Sequence, residues 1–388
     1  MVKTGLDIFF EDKINNYKSA KVGLVVNPTS VNSKFEHAIN LFHNSKALEL
    51  TTLFGPQHGI RGETQDNMVE WEGFDDLATG LPVYSLYGKH RKPTKEMLKD
   101  CDVVVFDIQD IGAKFYTFIY TMSYVMQACA EFGKKFMVLD RPNPISADIV
   151  EGSLTYEDFT SFVGLHPILI RHGMTVGELA HHFNNEFHIN CDLDVIKMQG
   201  YDRKMWFDET FLPWIIPSPN MPTLETATVY PGMCLIEGTN ISEGRGTTRP
   251  FEFVGAPFIE PGKLLSLLNS FKLPGVFFRP VFFQPTFQKW YGKLCGGLQI
   301  HVTDRNSYKS VLTAVAIIKA IYELYPKQFK WKEPPYEYEY KKLPFDILAG
   351  SDKLRFMIEK GSDLKEIEEA WEVDKTNFIK IRQDYLIY

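Results

Sequence analysis

The apolar positions of this chain fall into short runs separated by polar turns, a pattern typical of buried strands. The runs that end in polar residues are Lys21–Pro28, Ala47–Phe54, Asp100–Asp107 and Lys135–Asp140. Near-continuous apolar runs of this length indicate parallel strands with both faces covered. Helix-spaced apolar residues lie between them, so the pattern predicts an α/β fold with a Rossmann-like, doubly wound parallel sheet.

Three helices are predicted in this first part of the chain. Phe35–His43 and Met122–Phe132 carry apolar residues at helical spacing. A third helix is predicted to begin after Thr175, because Thr175 and Glu178 have the spacing of a capping box. By contrast, Trp206–Pro222 is rich in proline and aromatic residues, which predicts an ordered but irregular segment.

The pattern changes after Pro261, where shorter elements of both kinds are predicted. These are helices at Lys263–Phe271, Val311–Tyr325 and Leu364–Val373 and strands at Gly275–Phe283 and Gly297–Val302. Together they predict a second, smaller α+β domain that forms the other side of a cleft. The boundary is placed near residues 251–262, which divides the chain into a catalytic domain at 1–255 and an auxiliary domain at 256–388.

Polar side chains follow the predicted strands at the point where each strand ends. Because ligands bind outside the carboxyl ends of strands in open α/β sheets, we expect these side chains to surround one crevice. The residues are Asn27, His58, Arg61, Asp107, Gln109, Asp110, Asp140, Arg141 and Asn143. No glycine-rich dinucleotide or P-loop motif follows any of the strands, so the sequence does not support a nucleotide cofactor.

Composition argues against several classes of protein. The 388 residues carry a net charge of −7 without a basic block, which argues against nucleic acid as a partner. No run approaches the roughly 18 apolar residues of a membrane helix and no export signal is evident, so a soluble cytoplasmic protein is expected. The five cysteines are scattered without a CxxC pair, as in proteins of a reducing compartment.

The segment Glu237–Glu252 (EGTNISEGRGTTRPFE) concentrates polar chemistry in a stretch that can contribute little to a core. Its glycines permit tight turns, and its charged residues are dense for a linker. We interpret it as one wall of an active site. Glu237 and Glu243 are candidate catalytic carboxylates, because glycoside hydrolysis uses two carboxyl groups that flank the scissile bond. Arg245 would hold an anionic substrate group or lower a carboxylate pKa.

Two further motifs carry candidate chemistry. GPQHGIRGE combines His58, Arg61 and Glu63 in a glycine-rich loop, where histidine can titrate and arginine can clamp a carboxylate. FDIQDIG brings Asp107 and Asp110 together, and such a pair can divide into an acid and a base or can bind a divalent metal with a histidine. No HExxH, HxH or EF-hand spacing supports the metal alternative, which ranks second. No metal or cofactor is therefore expected.

Several ordered motifs resemble those of the DUF1343 or YbbC-like proteins, which are exo-β-N-acetylmuramidases of the NamZ type. They include GPQHGIRGE, VFDIQDIGAKFYTFI, LDRPNP, IRHGMTVGELA, PSPNMPT and YPGMCLIEGTNISEGRGTTRPFE, and they cover roughly residues 20–260. The resemblance implies a Rossmann-like catalytic domain, a smaller C-terminal domain and an active site in the cleft between them. It also implies release of N-acetylmuramic acid from the non-reducing ends of peptidoglycan fragments, with a small saccharide or muropeptide as partner.

The chain departs from the resemblance at Gln57. Many relatives carry glutamate in a PEHG segment where this chain has GPQHG, and that glutamate is the leading candidate for the family's catalytic carboxylate. Because glutamine cannot donate and recover a proton, either Glu63 takes the role or Asp110 and Glu243 share the acid–base work. A third alternative is a protein that acts on a different substrate or binds amino sugars without cleaving them.

The resulting hypothesis is an exo-acting glycoside hydrolase of peptidoglycan recycling in the cytoplasm. The candidate catalytic residues are Glu63, Asp110, Glu237 and Glu243. The candidate substrate-binding residues are Gln57, His58, Arg61, Asp107, Gln109, Tyr116, Asp140, Arg141, Asn143, Arg171, His172, Asn220, Asn240 and Arg245. The alternatives are a metal-dependent hydrolase that uses Asp107 and Asp110, and a non-catalytic amino-sugar-binding protein.

Overall fold

The computed structural model describes residues 1–62, 64 and 68–388, and a parallel sheet dominates the first part of the chain. Its strands are β1 (Lys21–Val26), β2 (Glu49–Gly55), β3 (Phe74–Asp75), β4 (Pro82–Ser85), β5 (Val103–Asp107), β6 (Lys135–Leu139) and β7 (Leu193–Ile196). They lie in the order β3-β4-β2-β1-β5-β6-β7, and only the β3–β4 pair is antiparallel among these described strands. The predicted α/β sheet is confirmed, with β1, β2, β5 and β6 at the predicted runs.

Helices cover both faces of this sheet, as the apolar strands require. Val104 and Phe106 of β5 pack into one core cluster, whereas Val103 and Val105 pack into another. Successive strand residues point to opposite faces, so a strand covered on both faces is apolar throughout. The helices α1 (Gly5–Ile8) and α2 (Ala38–His43) cover the face of Val103 and Val105. The helices α3 (Phe118–Glu131) and α4 (Val176–Glu186) cover the opposite face.

The start of α4 confirms the predicted capping box. Thr175 Oγ1 accepts a hydrogen bond from the Glu178 backbone N–H (3.2 Å), and Glu178 Oε2 accepts one from the Thr175 N–H (2.9 Å). These bonds satisfy donors that the first helical turn leaves unpaired. Asp140, which follows β6, accepts from the Gly177 N–H (2.7 Å), so the strand end is fixed to the helix.

A second unit contains an antiparallel sheet and most of the remaining helices. Its strands β8 (Phe253–Ala256), β9 (Val276–Phe283) and β10 (Cys295–Val302) lie in the order β8-β10-β9. The helices are α5 (Leu224–Met233), α6 (Pro261–Ser270), α7 (Ser310–Leu324), α8 (Pro344–Ala349), α9 (Lys353–Glu359), α10 (Leu364–Glu369) and α11 (Glu372–Arg382). The predicted α+β domain is confirmed. Its division from the first domain at residue 255 stays a prediction, and β8 spans that position.

The largest differences from the predicted elements have simple causes. The strands β3, β4 and β7 were not predicted, because they are short and only partly buried. Leu364–Val373 is not one helix, since α10 ends at Glu369 and α11 begins at Glu372 on either side of the largely buried Trp371. Trp206–Pro222 is irregular apart from one 3-10 turn, as predicted. Among the residues that the structure describes, no helix is both long enough and apolar enough to cross a bilayer.

The 3-10 turn Cys234–Gly238, which follows α5, is held closely by two other helices. Within α5, the Gly232 backbone N–H donates to Ser310 Oγ of α7 (3.0 Å). A Cβ added at Gly232 would lie 2.0 Å from the Ser310 carbonyl oxygen, and one added at Gly238 would lie 2.5 Å from Phe345 Cα in α8. The polypeptide around Glu237 is therefore fixed between α7 and α8.

Candidate active site

A pocket lies beside the carboxyl end of β2 and the N-terminus of α3, and the second unit completes it. It contains about 540 Å³ of empty space, including the part open to solvent. The lining residues are Gln57, His58, Phe115, Tyr116, Thr117, Phe118, Val163, Ser218, Asn220, Met221, Tyr230, Cys234, Glu237, Arg245, Phe251, Tyr336 and Glu337. Aromatic and apolar side chains with a few convergent polar groups are the usual lining of a small-molecule site.

The turn after β2 brings Gln57 and His58 to this pocket. Thr117 at the start of α3 donates from Oγ1 to Gln57 Oε1 (3.1 Å), which joins the two elements. His58 has a left-handed backbone (φ 70°), and its Nδ1 lies 2.7 Å from the Thr64 carbonyl oxygen. Because a carbonyl oxygen only accepts, His58 Nδ1 carries a proton. The N-terminus of α3 adds the positive end of a helix dipole to this wall.

Four charged side chains form a buried network in the wall that the second unit supplies. Arg245 Nη2 donates to Glu237 Oε1 (2.8 Å), and Arg245 Nε lies 3.4 Å from Glu243 Oε1. Lys289 Nζ donates to Glu243 Oε2 (2.9 Å). Burial alone would raise the pKa of Glu237, but Arg245, the Tyr336 hydroxyl and Lys289 together hold that pKa below its usual value. Glu237 is therefore ionised at neutral pH.

Glu337 is a second buried carboxyl group of the pocket, and its surroundings differ. Tyr336 donates its hydroxyl to Glu237 Oε2 (2.8 Å), and the next residue, Glu337, accepts a hydrogen bond from the Tyr87 hydroxyl (2.9 Å). Burial raises the pKa of Glu337 to about 7, and the negative charge of Glu237 adds to the increase. One pocket thus contains an ionised carboxylate and a carboxyl group that titrates near neutral pH.

Comparison with known proteins assigns the chain that forms this pocket to a family. The family model for exo-β-N-acetylmuramidase NamZ, N-terminal, matches residues 22–225, and the C-terminal model matches residues 228–388. The chain belongs to the NamZ exo-β-N-acetylmuramidase family. It is 49% identical over 387 residues to the peptidoglycan β-N-acetylmuramidase NamZ of Bacillus subtilis (strain 168), and the alignment covers 100% of this chain and 91% of that protein.

Crystal structures of two DUF1343 family proteins from Bacteroides fragilis NCTC 9343 share the NamZ-family fold seen here. The TM-scores are 0.90 at 36% identity and 0.78 at 30% identity, and each comparison covers 100% of this chain and 99% of the other. The resemblance inferred from the sequence motifs is confirmed. The predicted enzyme class, a glycoside hydrolase of the exo-β-N-acetylmuramidase type, is confirmed with it.

Part of the predicted site lines this pocket of the NamZ-family chain. These residues are Gln57, His58, Tyr116, Asn220, Glu237 and Arg245. They come from the turns after β2 and β5, from the irregular segment before α5 and from the Glu237–Glu252 loop. The interpretation of that loop as a pocket wall agrees with the geometry, while the role of each side chain stays a prediction. Glu63 lies outside the described residues.

The predicted polar residues at the end of β5 and directly after β6 do not line the pocket. Asp107 is ion-paired with Arg141, which donates from Nε (2.6 Å) and Nη2 (2.9 Å) to both carboxylate oxygens. Gln109 donates to the Asp110 and Pro142 carbonyls (2.6 Å each). Asp140 is bonded to the start of α4, and Asn143 donates to the Met174 carbonyl (3.0 Å). These side chains fix turns at the sheet edge rather than facing the pocket.

The irregular segment Trp206–Pro222 explains why those side chains are not available to a ligand in the pocket. Asn27 at the end of β1 donates from Nδ2 to the Pro217 carbonyl (3.2 Å), which holds the segment against the sheet edge. Only a small cavity remains there, and it is lined by Gln109, Arg141 and Trp214 among others. The crevice expected across all the strand ends is therefore divided, and the larger pocket lies on the β2 side.

Asp110, Arg171 and His172 are also buried outside the pocket lining. His172 Nε2 lies 3.2 Å from Asp110 Oδ2, which accepts from the Gly112 backbone N–H (2.7 Å). Arg171 donates to the Glu151 carboxylate (2.8 Å). These contacts are with the protein itself, and none of the three residues lines the pocket, so their predicted roles stay predictions.

Arg61, Asn240 and Glu243 complete the predicted residues that lie outside the lining. Arg61 is half exposed and pairs with Asp76 (2.5 Å). Asn240 accepts a hydrogen bond from the Lys330 backbone N–H (3.0 Å) and so joins two loops. Glu243 lies behind Arg245, between that guanidinium and an ammonium group. As a buried counter-ion it supports the pocket wall without lining it.

The metal alternative gains no support from the arrangement of Asp107 and Asp110. Both oxygens of Asp107 accept hydrogen bonds from Arg141, and Asp110 is bonded to a backbone N–H and close to His172. Over the residues that the structure describes, no group of three or more His, Cys, Asp or Glu side chains is placed to hold a metal ion. Both oxygens of Asp107 and one oxygen of Asp110 are thus already bound to other protein groups.

Two lining residues, Tyr336 and Glu337, were not predicted from the sequence, and neither was Tyr87, which contacts Glu337 from outside the lining. Tyr336 and Glu337 lie in the segment PPYEYEY at Pro334–Tyr340. Prolines with alternating aromatics predict an irregular, ordered segment, but they do not indicate which sequence-distant loop it contacts. Contacts with Tyr87 and Met68 bring this segment to the pocket.

Proposed function

We propose that this pocket binds a terminal N-acetylmuramic acid residue and hydrolyses its β-glycosidic bond, working from the non-reducing ends of peptidoglycan fragments. The observation that carries the proposal is the pair of buried carboxyl groups, Glu237 and Glu337, with different protonation behaviour in one small pocket of a NamZ-family chain. Glycoside hydrolysis uses two carboxyl groups with separate roles. The Bacillus relative is named a peptidoglycan β-N-acetylmuramidase, which supports the same substrate class here.

The lining suits an acidic amino sugar. N-acetylmuramic acid carries a lactyl carboxylate, which needs a cation. Among the predicted substrate-binding residues Arg61, Arg171 and Arg245, only Arg245 lines the pocket, whereas Arg61 and Arg171 pair with carboxylates elsewhere. The N-terminus of α3 favours a negative group on the other side. Aromatic faces at Tyr116 and Phe251 suit the CH groups of a sugar ring, and Asn220 and Gln57 offer amide groups to hydroxyls and the acetamide.

We further propose that the enzyme works in the cytoplasm on imported muropeptide sugars, as a step of peptidoglycan recycling. All five cysteines are buried free thiols, including Cys129 and Cys191, which interact with each other. Neighbouring thiols that stay unpaired suit a reducing compartment. Accumulation of a muramic acid disaccharide in the cytoplasm of a deletion strain would support this placement, and accumulation outside the cell would contradict it.

The substrate proposal predicts selective cleavage of muraminides. The purified protein should release the chromophore from an aryl β-N-acetylmuraminide, and the matched β-N-acetylglucosaminide, which lacks only the lactyl ether, should be cleaved at least about tenfold more slowly, because one lost charge-assisted contact is worth about 1.5–3 kcal/mol. Equal rates would contradict recognition of the lactyl group. Loss of activity with a chelator would favour the metal-dependent alternative.

Saccharide binding without any turnover is the outcome expected of a binding protein. Calorimetry with the disaccharide of N-acetylmuramic acid and N-acetylglucosamine separates that case from a simple lack of recognition. Binding together with release of free N-acetylmuramic acid would support the hydrolase. Binding with the disaccharide recovered intact would replace it with the amino-sugar-binding alternative that Gln57 suggested.

A further inference from the structure

We propose that Glu337 is the proton donor of the reaction and takes the role that Gln57 cannot perform. This assignment rests on the hydrolase function proposed above. Glu337 lies on the C-terminal segment, far in sequence from the GPQHG turn, yet both line the same pocket. A proton donor must face the oxygen of the leaving group and must carry a proton, so its position and its protonation state both matter.

The position of Glu337 is fixed by contacts on both sides. Its carboxylate accepts from the Tyr87 hydroxyl (2.9 Å), and its backbone N–H donates to Met68 Sδ (3.5 Å). The following Tyr338 donates its hydroxyl to Glu70 (2.9 Å). The backbone is left-handed at Glu337 (φ 44°) and again at Tyr338 (φ 69°), conformations uncommon for residues with a side chain. The carboxyl group is thus held in place at 4% exposure.

The other candidate carboxylates that the structure describes are poor proton donors. Among the described residues that line the pocket, the carboxyl groups are those of Glu237 and Glu337. Glu237 accepts hydrogen bonds from Arg245 and Tyr336, which favour its charged form. Glu243 is paired with two cations and does not reach the pocket surface. Asp110 lies outside the lining, so Glu337 is the described group that combines access with a proton.

The surroundings of Glu337 keep that proton bound near neutral pH. Burial raises the pKa of Glu337 to about 7, the Tyr87 hydrogen bond opposes the increase, and the charge of Glu237 adds to it. The titratable and charged groups around it are Tyr87, Arg91, Glu237, Arg245, Lys332, Tyr336 and Tyr338. An acid with a pKa near the working pH is the most effective general acid.

The step balances as a hydrolysis. The bond between the anomeric carbon and the bridging oxygen breaks, and its electron pair passes to that oxygen. The oxygen takes the proton of Glu337 and leaves as an alcohol. Water adds its hydroxyl group to the anomeric carbon, and its remaining proton restores Glu337, so no other reactant is consumed.

The assignment predicts that the effect of Glu337→Gln depends on the leaving group. Glutamine keeps the size of the side chain and an acceptor for Tyr87 but has no proton to donate. We expect a loss of about 10²- to 10⁴-fold in kcat on the natural disaccharide. A dinitrophenyl muraminide, whose leaving group departs without protonation, should lose less than about tenfold. For the wild type on the natural disaccharide, kcat/KM should decline above about pH 7, because Glu337 loses its proton. With the activated substrate this decline should be absent.

Glu333→Gln is the matched control, because Glu333 is an exposed glutamate of the same segment. It should leave both rates unchanged. Equal losses on both substrates in the Glu337→Gln variant, with disaccharide binding and the thermal transition retained, would overturn the assignment while leaving the hydrolase function intact. Wild-type protein that cleaves neither substrate would overturn the hydrolase function and the assignment together.

Tyr87→Phe tests the same carboxyl group without removing it. The Tyr87 hydroxyl stabilises the charged form of Glu337, so its loss should raise the pKa and move the decline in activity upward by about one pH unit. Tyr124→Phe, in the same aromatic cluster around Phe162, is the control and should leave the pH profile in place. An unchanged or downward shift in Tyr87→Phe would contradict the proton-donor role.

Discussion

Replacing Arg245 by Met should lower the free energy of unfolding at pH 7 by about 3–5 kcal/mol, because it leaves buried charges without their partner. Arg245 is about 8% exposed and lies against both Glu237 and Glu243. Tyr336 and Lys289 would remain, but each donates a hydrogen bond to only one of the two carboxylates. Burial would then raise the pKa of Glu237, which Arg245 normally holds down.

Urea unfolding followed by tryptophan fluorescence measures this loss. Arg305→Met is the matched control, since Arg305 pairs with Asp208 at the surface with both side chains well exposed. An exposed pair contributes about 0–1 kcal/mol, so the control should change little. Similar losses in the two variants would show that the Arg245 network is no more important to stability than a surface pair.

Removing both members of the pair should recover part of the stability. In the double variant Glu237→Gln with Arg245→Met, one fewer carboxylate is left uncompensated, and Tyr336 still has an acceptor. The loss should fall below that of Arg245→Met alone. The same variant should be inactive, because the pocket would lack both its ionised carboxylate and its cation.

The first part of the fold could be predicted from the sequence because its central strands are buried on both faces. In β5, Val103, Val104, Val105 and Phe106 are all apolar, and that run alone predicts a covered parallel strand. The Thr175 capping box likewise depends on residues three apart. Short strands such as β7, which is partly exposed and contains Asp194, carry no such signal.

The candidate site could be predicted only in part, because polar residues at strand ends serve two purposes. Gln57 and His58 after β2 line the pocket, whereas Asp107 at the end of β5 forms a buried pair with Arg141. In both cases polar side chains come at the end of an apolar strand, so the local pattern does not distinguish them. The difference is made by Trp206–Pro222, which covers one strand end and leaves the other open, and that packing depends on contacts between distant parts of the chain.

The role of Glu337 could not be predicted from the sequence for the same reason. Its partner Tyr87 is 250 residues away in sequence, and no motif marks the segment that contains it. Gln57 indicates that another residue must carry the proton, but the candidates that the sequence offers all lie in recognised motifs. Long-range packing of the second unit against the first supplies the residue that the motifs do not contain.

The proton-donor role has a thermodynamic cost that can be measured apart from catalysis. A buried carboxyl group with a raised pKa is tolerated when protonated and destabilises the folded state when ionised. The pKa of Glu337 rises from the usual 4.5 to about 7. Its stabilising contribution is therefore fully present below about pH 4.5 and is lost as the pH rises to about 7.

Glu337→Gln should consequently be more stable than the wild type above pH 7, by about 3 kcal/mol, because each pKa unit corresponds to about 1.4 kcal/mol. The difference should be largely lost by pH 4.5 and vanish below it, where the wild-type group is protonated in both states. Asp140, whose pKa burial also raises to about 7, is unchanged in the variant and cancels in the comparison. Urea unfolding of both proteins and of Glu333→Gln from pH 4.5 to 8.5 provides the measurement. A stability difference that does not change with pH would show that Glu337 is not protonated in the folded enzyme, and the proton donor would then have to be sought in another group.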